Sequence, residues 1–295
     1  MLAIVPIVYA VKHMASYGLD ATVGVTALIG LLAGWVFLRR QRHLATPLID
    51  VALFRIPAFS GAVLANGMSI FALAGLLFFF SQYLQLVRGF SPLAAGLVEL
   101  PATLMAILVA LVAVAIVKRL GQGRAIAAGL ALAAIAMGLL GAAVAQPGYH
   151  WLILGVSLMG LGIGLAMTLS TDAVVSAAPV ERAGAASAIS ETSYELGTAM
   201  GIALLGSLQT VFYRASLGLP DGLDLALGDR VQESLAIALR TLDESIAAHA
   251  ELAGLARHAF TSGMQLTSLV AAVILAASAI TAWVLIPRGP QRVSE

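Results

Sequence analysis

Residues 189–201 read ISETSYELGTAMG, with Glu191 and Glu195 four positions apart in a run of small and apolar residues. On a helix that spacing puts both carboxylates on one face, and Ser187 and Thr198 extend the same polar stripe. Neighbouring carboxylates in a low-dielectric setting resist being charged together, which suits a site that trades a proton for a cation. Two further acids sit in apolar runs: Glu99, two residues before Pro101, and Asp172, after Leu169-Ser170-Thr171. An acid at the centre of a membrane helix costs about 2.5–3.5 kcal/mol, so such residues face a bundle interior or a water-filled cavity. Each has a plainer alternative. Glu191 is solvated at a membrane surface if its helix begins late. Asp172 caps a helix end or pairs with Arg182. Glu99 lines an outward vestibule or merely touches water.

The membrane setting follows from composition. Of 295 residues, 60% are hydrophobic, 11% are Asp, Glu, Lys or Arg, and the mean hydropathy is +0.98. A soluble domain carries about 25% charged residues, and no soluble core could bury so much apolar surface. The net charge of +1 gives no basic surface for nucleic acid. There is no cysteine, which removes disulfides and thiolate chemistry, and the five histidines show no metal-ligand spacing. Neither a Gly-rich phosphate loop after a strand nor a G-x-S-x-G nucleophile turn is present. The sequence thus points away from an enzyme and implies no cofactor.

The elements that must hold these acids are transmembrane helices of roughly 20 residues. Apolar runs predict spans at about 1–17, 22–38, 58–86, 93–117, 123–145, 150–176, 185–212 and 260–286, about eight in all with the first one short. The chain accordingly divides into two helices in 1–38, a linker at 39–57, five helices in 58–212, a polar segment at 213–258, a last helix at 259–286 and a tail at 287–295. Within 223–258 leucines and isoleucines recur at three- and four-residue spacings, which predicts one or two amphipathic helices packed on the bundle rim. Gly160, Gly162, Gly164, Gly197 and Gly201 are placed for close helix contact. Pro101 and Pro6 interrupt their spans. Asn66, Gln82 and Gln85 add neutral polar groups to the third span, and Lys12 reaches toward a membrane surface.

Lys and Arg gather in alternate connections: Arg39, Arg40, Arg42 and Arg55, then Lys118, Arg119 and Arg124, then Arg182, then Arg288 and Arg292. By the positive-inside rule those connections and the C-terminus are cytoplasmic, and 213–258 faces outside.

Several stretches resemble the major facilitator transporters, specifically the fourteen-span drug/proton antiporter branch near the quaternary-ammonium efflux pumps. "LATPLIDVALFRIPAFSG" (44–61) resembles the cytoplasmic linker before that family's C-terminal half, and "FSPLAAGLVELPATL" (90–104) its next outer loop and span. "VKRLGQGRAIAAG" (117–129) resembles the second-half echo of the superfamily's cytoplasmic loop motif; it lacks the Asp and keeps Lys118, Arg119, Gly121 and Arg124. The stretch 160–208 is similar to the twelfth and thirteenth spans, joined by a P-x-E-R-A-G loop at Pro179–Gly184. Some quaternary-ammonium pumps carry an aspartate where Ala106 stands here.

The resemblance implies an all-α polytopic membrane protein of the cell membrane: the C-terminal bundle of such a transporter with two preceding linker helices. It implies proton-coupled efflux of lipophilic, cationic drugs, with acids of a cavity-lining span exchanging drug for protons. Its partners would be the lipid bilayer, a small-molecule drug, protons and a separately encoded N-terminal half, because residue 1 aligns inside the seventh span. The alternative is a truncated remnant or a non-transporting membrane subunit.

Overall fold

The structure is a computed structural model and describes residues 3–287 apart from 42, 45–48, 221–222 and 244–245. Arg42, Arg288 and Arg292 of the charge pattern, and all of the 287–295 tail but Pro287, lie outside the described residues. Everything regular among the described residues is helical. Seven helical stretches are long and apolar enough to cross a membrane, and a shorter apolar helix precedes them.

The chain opens with a hairpin of α1 (Ile4–Tyr17) and α2 (Ala21–Gln41). Asp20 caps α2, its carboxylate accepting from the Val23 amide at 2.9 Å and lying 3.0 Å from His13 Nε2. That amide first, and the His13 contact next, hold the Asp20 carboxyl below the usual carboxylate range. A short helical turn, Val51–Arg55, then leads into α3 (Pro57–Gln82), whose start is set by Pro57 in the first turn. α3 ends in a π turn at Tyr83–Val87. α4 (Pro92–Leu120) is capped by Ser91, whose side chain accepts from the Ala94 amide. Gly121, at φ +80°, breaks the chain between α4 and α5 (Gln122–Ala143), a backbone conformation that a side chain would strain. α6 (His150–Ser176) follows, then α7 (Ala183–Met200), which passes through a second π turn at Gly201–Leu205 into α8 (Gly206–Ser216).

Two short helices, α9 (Leu225–Glu233) and α10 (Leu235–Thr241), cap one end of the bundle. They are the amphipathic helices expected in 223–258: Val231, Leu235 and Ala238 are buried, and Asp224 and Ser234 cap their first turns. The last helix, α11 (Ala247–Leu285), starts well before the expected 260. Sequence patterning places 247–258 in the amphipathic segment ahead of the span; Leu252, Ala253, Ala256 and Ala259 recur at helical spacing and are buried, and they run on into the span as one helix. At 39 residues it is about 58 Å long, against a hydrocarbon core of about 30 Å, so its first turns project beyond it.

Helices α3, α5 and α6 form the buried centre, whereas α2 and α4 expose most of their apolar surface. α5 packs against α6 and α11, α4 against α6, and α7 against α3. The contacts are made by small residues, as expected where lipid removes the hydrophobic drive between helices. Gly201 lies against the Phe71 carbonyl, Gly162 against Gly129, and Gly160 and Gly164 against Ala102 and Ala106. Neither proline breaks its helix. Pro6 sits in the first turn of α1, where its missing N–H needs no partner, and α4 continues through Pro101 with one backbone bond fewer.

The chain reversals fall at two ends. The linker end holds the start of α3, the α4–α5 and α6–α7 connections and the end of α11. The cap end holds the α1–α2 turn, the π turn at Tyr83–Val87, the α5–α6 turn, and α9 and α10.

Candidate functional site

α7 is two-sided because the sequence alternates small buried positions with polar exposed ones. Ala186, Ile189, Ser190 and Gly197 are buried, while Ser187, Glu191, Thr192 and Glu195 are exposed. The buried side is pinned to α3. Asn66 Nδ2 donates to Ser190 Oγ at 3.2 Å and to the Ser190 carbonyl at 3.3 Å, and Ser193 Oγ donates to the Val63 carbonyl at 3.0 Å. From α6, Ser170 Oγ and Thr171 Oγ1 each lie 3.5 Å from Asn66 Oδ1. Asn66, Ser170 and Ser190 are all buried, so three helices meet at one polar cluster inside an apolar bundle. Leaving such groups unpaired in hydrocarbon would be costly, and their mutual bonding fixes how α7 is rotated.

With α7 so fixed, Glu191 and Glu195 face away from α3. Glu195 lies twelve residues into α7, about 18 Å along it, and Glu191 about 12 Å. The continuous helical stretch from Val180 to Ser216 puts Glu195 close to its middle. Neither carboxylate has an ion-pair partner among the described residues. Facing lipid at that depth would cost each acid a few kcal/mol, so this face requires water or another polypeptide. Thr198 completes the stripe only partly: it is half-buried and its hydroxyl donates to the Tyr194 carbonyl.

Asp172 goes elsewhere. It stands four residues before the end of α6 and accepts from Gln122 Nε2 at 2.8 Å. The pairing with Arg182 weighed from sequence does not form: Arg182 Nη1 instead donates to Asp50 Oδ2 at 2.7 Å. The linker brings Asp50 to the α6–α7 connection, a contact across 132 positions that sequence spacing could not disclose. Asp172 and the loop-motif residues Lys118, Arg119, Gly121 and Arg124 line one cavity of about 640 Å³ at the linker end.

Glu99 is separate again. It is half-buried on α4, and its Oε1 is buried without a hydrogen-bond partner. The four acids thus fall into three places: Glu191 with Glu195, Asp172 with the loop motif, and Glu99 alone. Sequence reading singled out Asn66 only as a neutral polar group and missed Ser170 and Ser190. The available signal was an Asn in the middle of a span that is otherwise mostly apolar or small.

A second groove, of about 430 Å³, runs between α3 and α7 beside the carboxylate face and is lined almost wholly by apolar side chains, among them Phe54, Leu64, Met68, Phe71 and Leu196. An apolar groove of this kind can receive a lipophilic body, and neither Glu191 nor Glu195 is among its lining residues. Among the described residues no group of three or more His, Cys, Asp or Glu is placed to hold a metal ion.

Seven membrane-length helices, packed through small residues and carrying acids on an apolar helix's open face, define a polytopic helical membrane protein. The chain belongs to the Major Facilitator Superfamily, which residues 3–202 match. It is 38% identical over 275 residues to the multidrug efflux pump LfrA of Mycolicibacterium smegmatis, covering 93% of this chain and 55% of that protein. It is 30% identical over 296 residues to the methyl viologen resistance protein SmvA of Salmonella typhimurium, covering 99% of this chain and 59% of that protein. The multidrug resistance protein Stp of Mycobacterium tuberculosis is 28% identical over 302 residues, covering 98% and 56%. The chain therefore spans somewhat more than half the length of these curated relatives.

Proposed function

We propose that this chain forms one bundle of a proton-coupled drug efflux transporter, and that the α7 face bearing Glu191 and Glu195 lines the drug path. The observation that carries the reading is the orientation of those carboxylates. They sit deep on an apolar helix whose opposite face is locked to α3 by Asn66 and Ser193, so they are turned toward a space that lipid cannot fill. The apolar groove between α3 and α7 supplies a surface for a lipophilic substrate, and the two exposed acids of α7 favour a cationic one. The names of the relatives support drug export as the activity.

In this reading the cavity is completed by a second bundle, and access alternates as one bundle rocks against the other. Residues 39–57, the α4–α5 and α6–α7 connections and the C-terminus are cytoplasmic, with α9 and α10 outside. The chemistry is an exchange at the two carboxylates, which a bound cation and protons occupy in turn.

The test is export of a fluorescent lipophilic cation from vesicles carrying this chain within a complete two-bundle transporter. Export driven by an imposed pH gradient and abolished by a protonophore supports the reading. Export that ignores the gradient excludes proton coupling.

A further inference from the structure

The cavity at the linker end has a composition that drug efflux does not use. Its charged lining is Lys118 and Arg119 from the end of α4, Arg124 from the first turn of α5, and Asp172 from α6. Asp172 is already engaged by Gln122 at 2.8 Å. None of the three cations has an ion-pair partner among the described residues. Arg124 is the most telling: its Nε is buried without an acceptor, while its guanidinium stands 5.3 Å from the Trp283 ring centroid. A guanidinium held against an indole and lacking an acceptor is poised for a planar or tetrahedral oxyanion. The cavity also receives the N-terminus of α5 through Gly121 and Gln122, which adds a positive end.

Position says where the anion comes from. The cavity lies at the end of membrane-length helices, where a bilayer has its headgroups. The face of α4 that bears Lys118 and Arg119 at the cavity runs back, at helical spacing, along exposed Leu111, Leu108 and Leu104. A cationic cavity of about 640 Å³ continuous with an apolar helix face fits a molecule with a phosphate head and a hydrocarbon tail. We infer that this cavity binds the phosphodiester headgroup of an anionic phospholipid, with Lys118, Arg119 and Arg124 as its cationic contacts and the outer face of α4 carrying its acyl chain. The site stands apart from the carboxylate face of α7 and does not depend on what the chain transports.

The experiment counts phosphatidylglycerol retained by the purified full chain after delipidation, by native mass spectrometry, from vesicles of phosphatidylcholine with a minor fraction of phosphatidylglycerol. The expected result is one phosphatidylglycerol per chain, with phosphatidylcholine exchanged away. Lys118→Gln with Arg119→Gln removes two exposed cations without touching the core, and retention falls roughly thirtyfold. Arg124→Gln loses retention as well, while Arg124→Lys recovers part of it. Arg240→Gln, an exposed cation on the cap, leaves retention unchanged. If Arg124→Gln fails to fold, the surface double variant still decides the matter. Equal retention by the chain and the double variant overturns the site, as does no retained lipid in the unaltered chain. Inorganic phosphate, added alone, should neither displace the lipid nor stabilise the delipidated chain. Displacement by phosphate would reassign the cavity to soluble phosphate compounds and overturn the lipid assignment.

Discussion

Asn66 Nδ2 donates to Ser190 Oγ across 3.2 Å, and the residue after Ser190 is Glu191, exposed on the other side of the same turn. The buried amide on α3 thereby decides which way the carboxylates of α7 face. A helix of small residues has little shape to resist rotation, so polar bonds specify the angle that packing leaves open.

Asn66→Ala removes both bonds to Ser190 and the acceptor near Ser170 and Thr171. Interhelical hydrogen bonds in membranes are worth about 0.6 kcal/mol on average and up to about 1.7, so a loss of about 1–2 kcal/mol is expected for this cluster. Unfolding in mixed detergent measures it. Asn66→Asp should cost more than Asn66→Ala, because it buries a charge without a cation nearby. An unchanged midpoint for Asn66→Ala would mean that the cluster does not hold α7.

Gly201→Ala places a Cβ against the Phe71 carbonyl and its backbone, which cannot swing aside as a side chain could. Overpacking of this kind costs about 1–3 kcal/mol and should lower the melting temperature. Gly184→Ala is the contrast. It lies in the first turn of α7 with nothing within 4 Å of a new Cβ, and the gain in helix propensity is up to about 1 kcal/mol. Thermal melts of the two purified variants should move in opposite directions.

The chain has no cysteine, so single labels report topology cleanly. Ala226→Cys lies on exposed α9, and Val180→Cys in the exposed α6–α7 connection. On intact cells an impermeant maleimide should label the first and spare the second until the membrane is opened. The reverse pattern would invert the proposed orientation.

Much of this architecture was legible because bilayer thickness sets helix length, and apolar runs therefore mark spans directly. The α6 limits read from sequence, 150–176, match His150–Ser176, and the glycines at 160–164 and at 197 and 201 do lie at helix contacts. The start of α11 was not legible, since the amphipathic spacing of 247–258 does not say that this segment is continuous with the apolar span until Leu252 and Ala253 are seen to be buried on the same helix. Nor was the sorting of the acids. Spacing paired Glu195 with Glu191 but left Asp172 open between a helix cap and Arg182, and only the fold sends it to Gln122 and the loop motif. The Asp50–Arg182 pair and the Asn66 cluster join residues more than a hundred positions apart, and no local pattern encodes that.

Glu195 carries the central claim. Glu195→Gln keeps the side chain's size and much of its hydrogen bonding and removes its titrating charge. The measurement is pH-driven efflux from vesicles carrying the chain within a complete two-bundle transporter, with cationic and neutral lipophilic substrates in parallel and expression level as the control. Glu191→Gln, nearer the start of α7, is the comparison. The account predicts that Glu195→Gln keeps its expression, loses most cation export and retains more export of neutral compounds, with Glu191→Gln the milder of the two. Cation export at the unaltered rate in Glu195→Gln would contradict it and leave that carboxylate a solvated residue on a helix face.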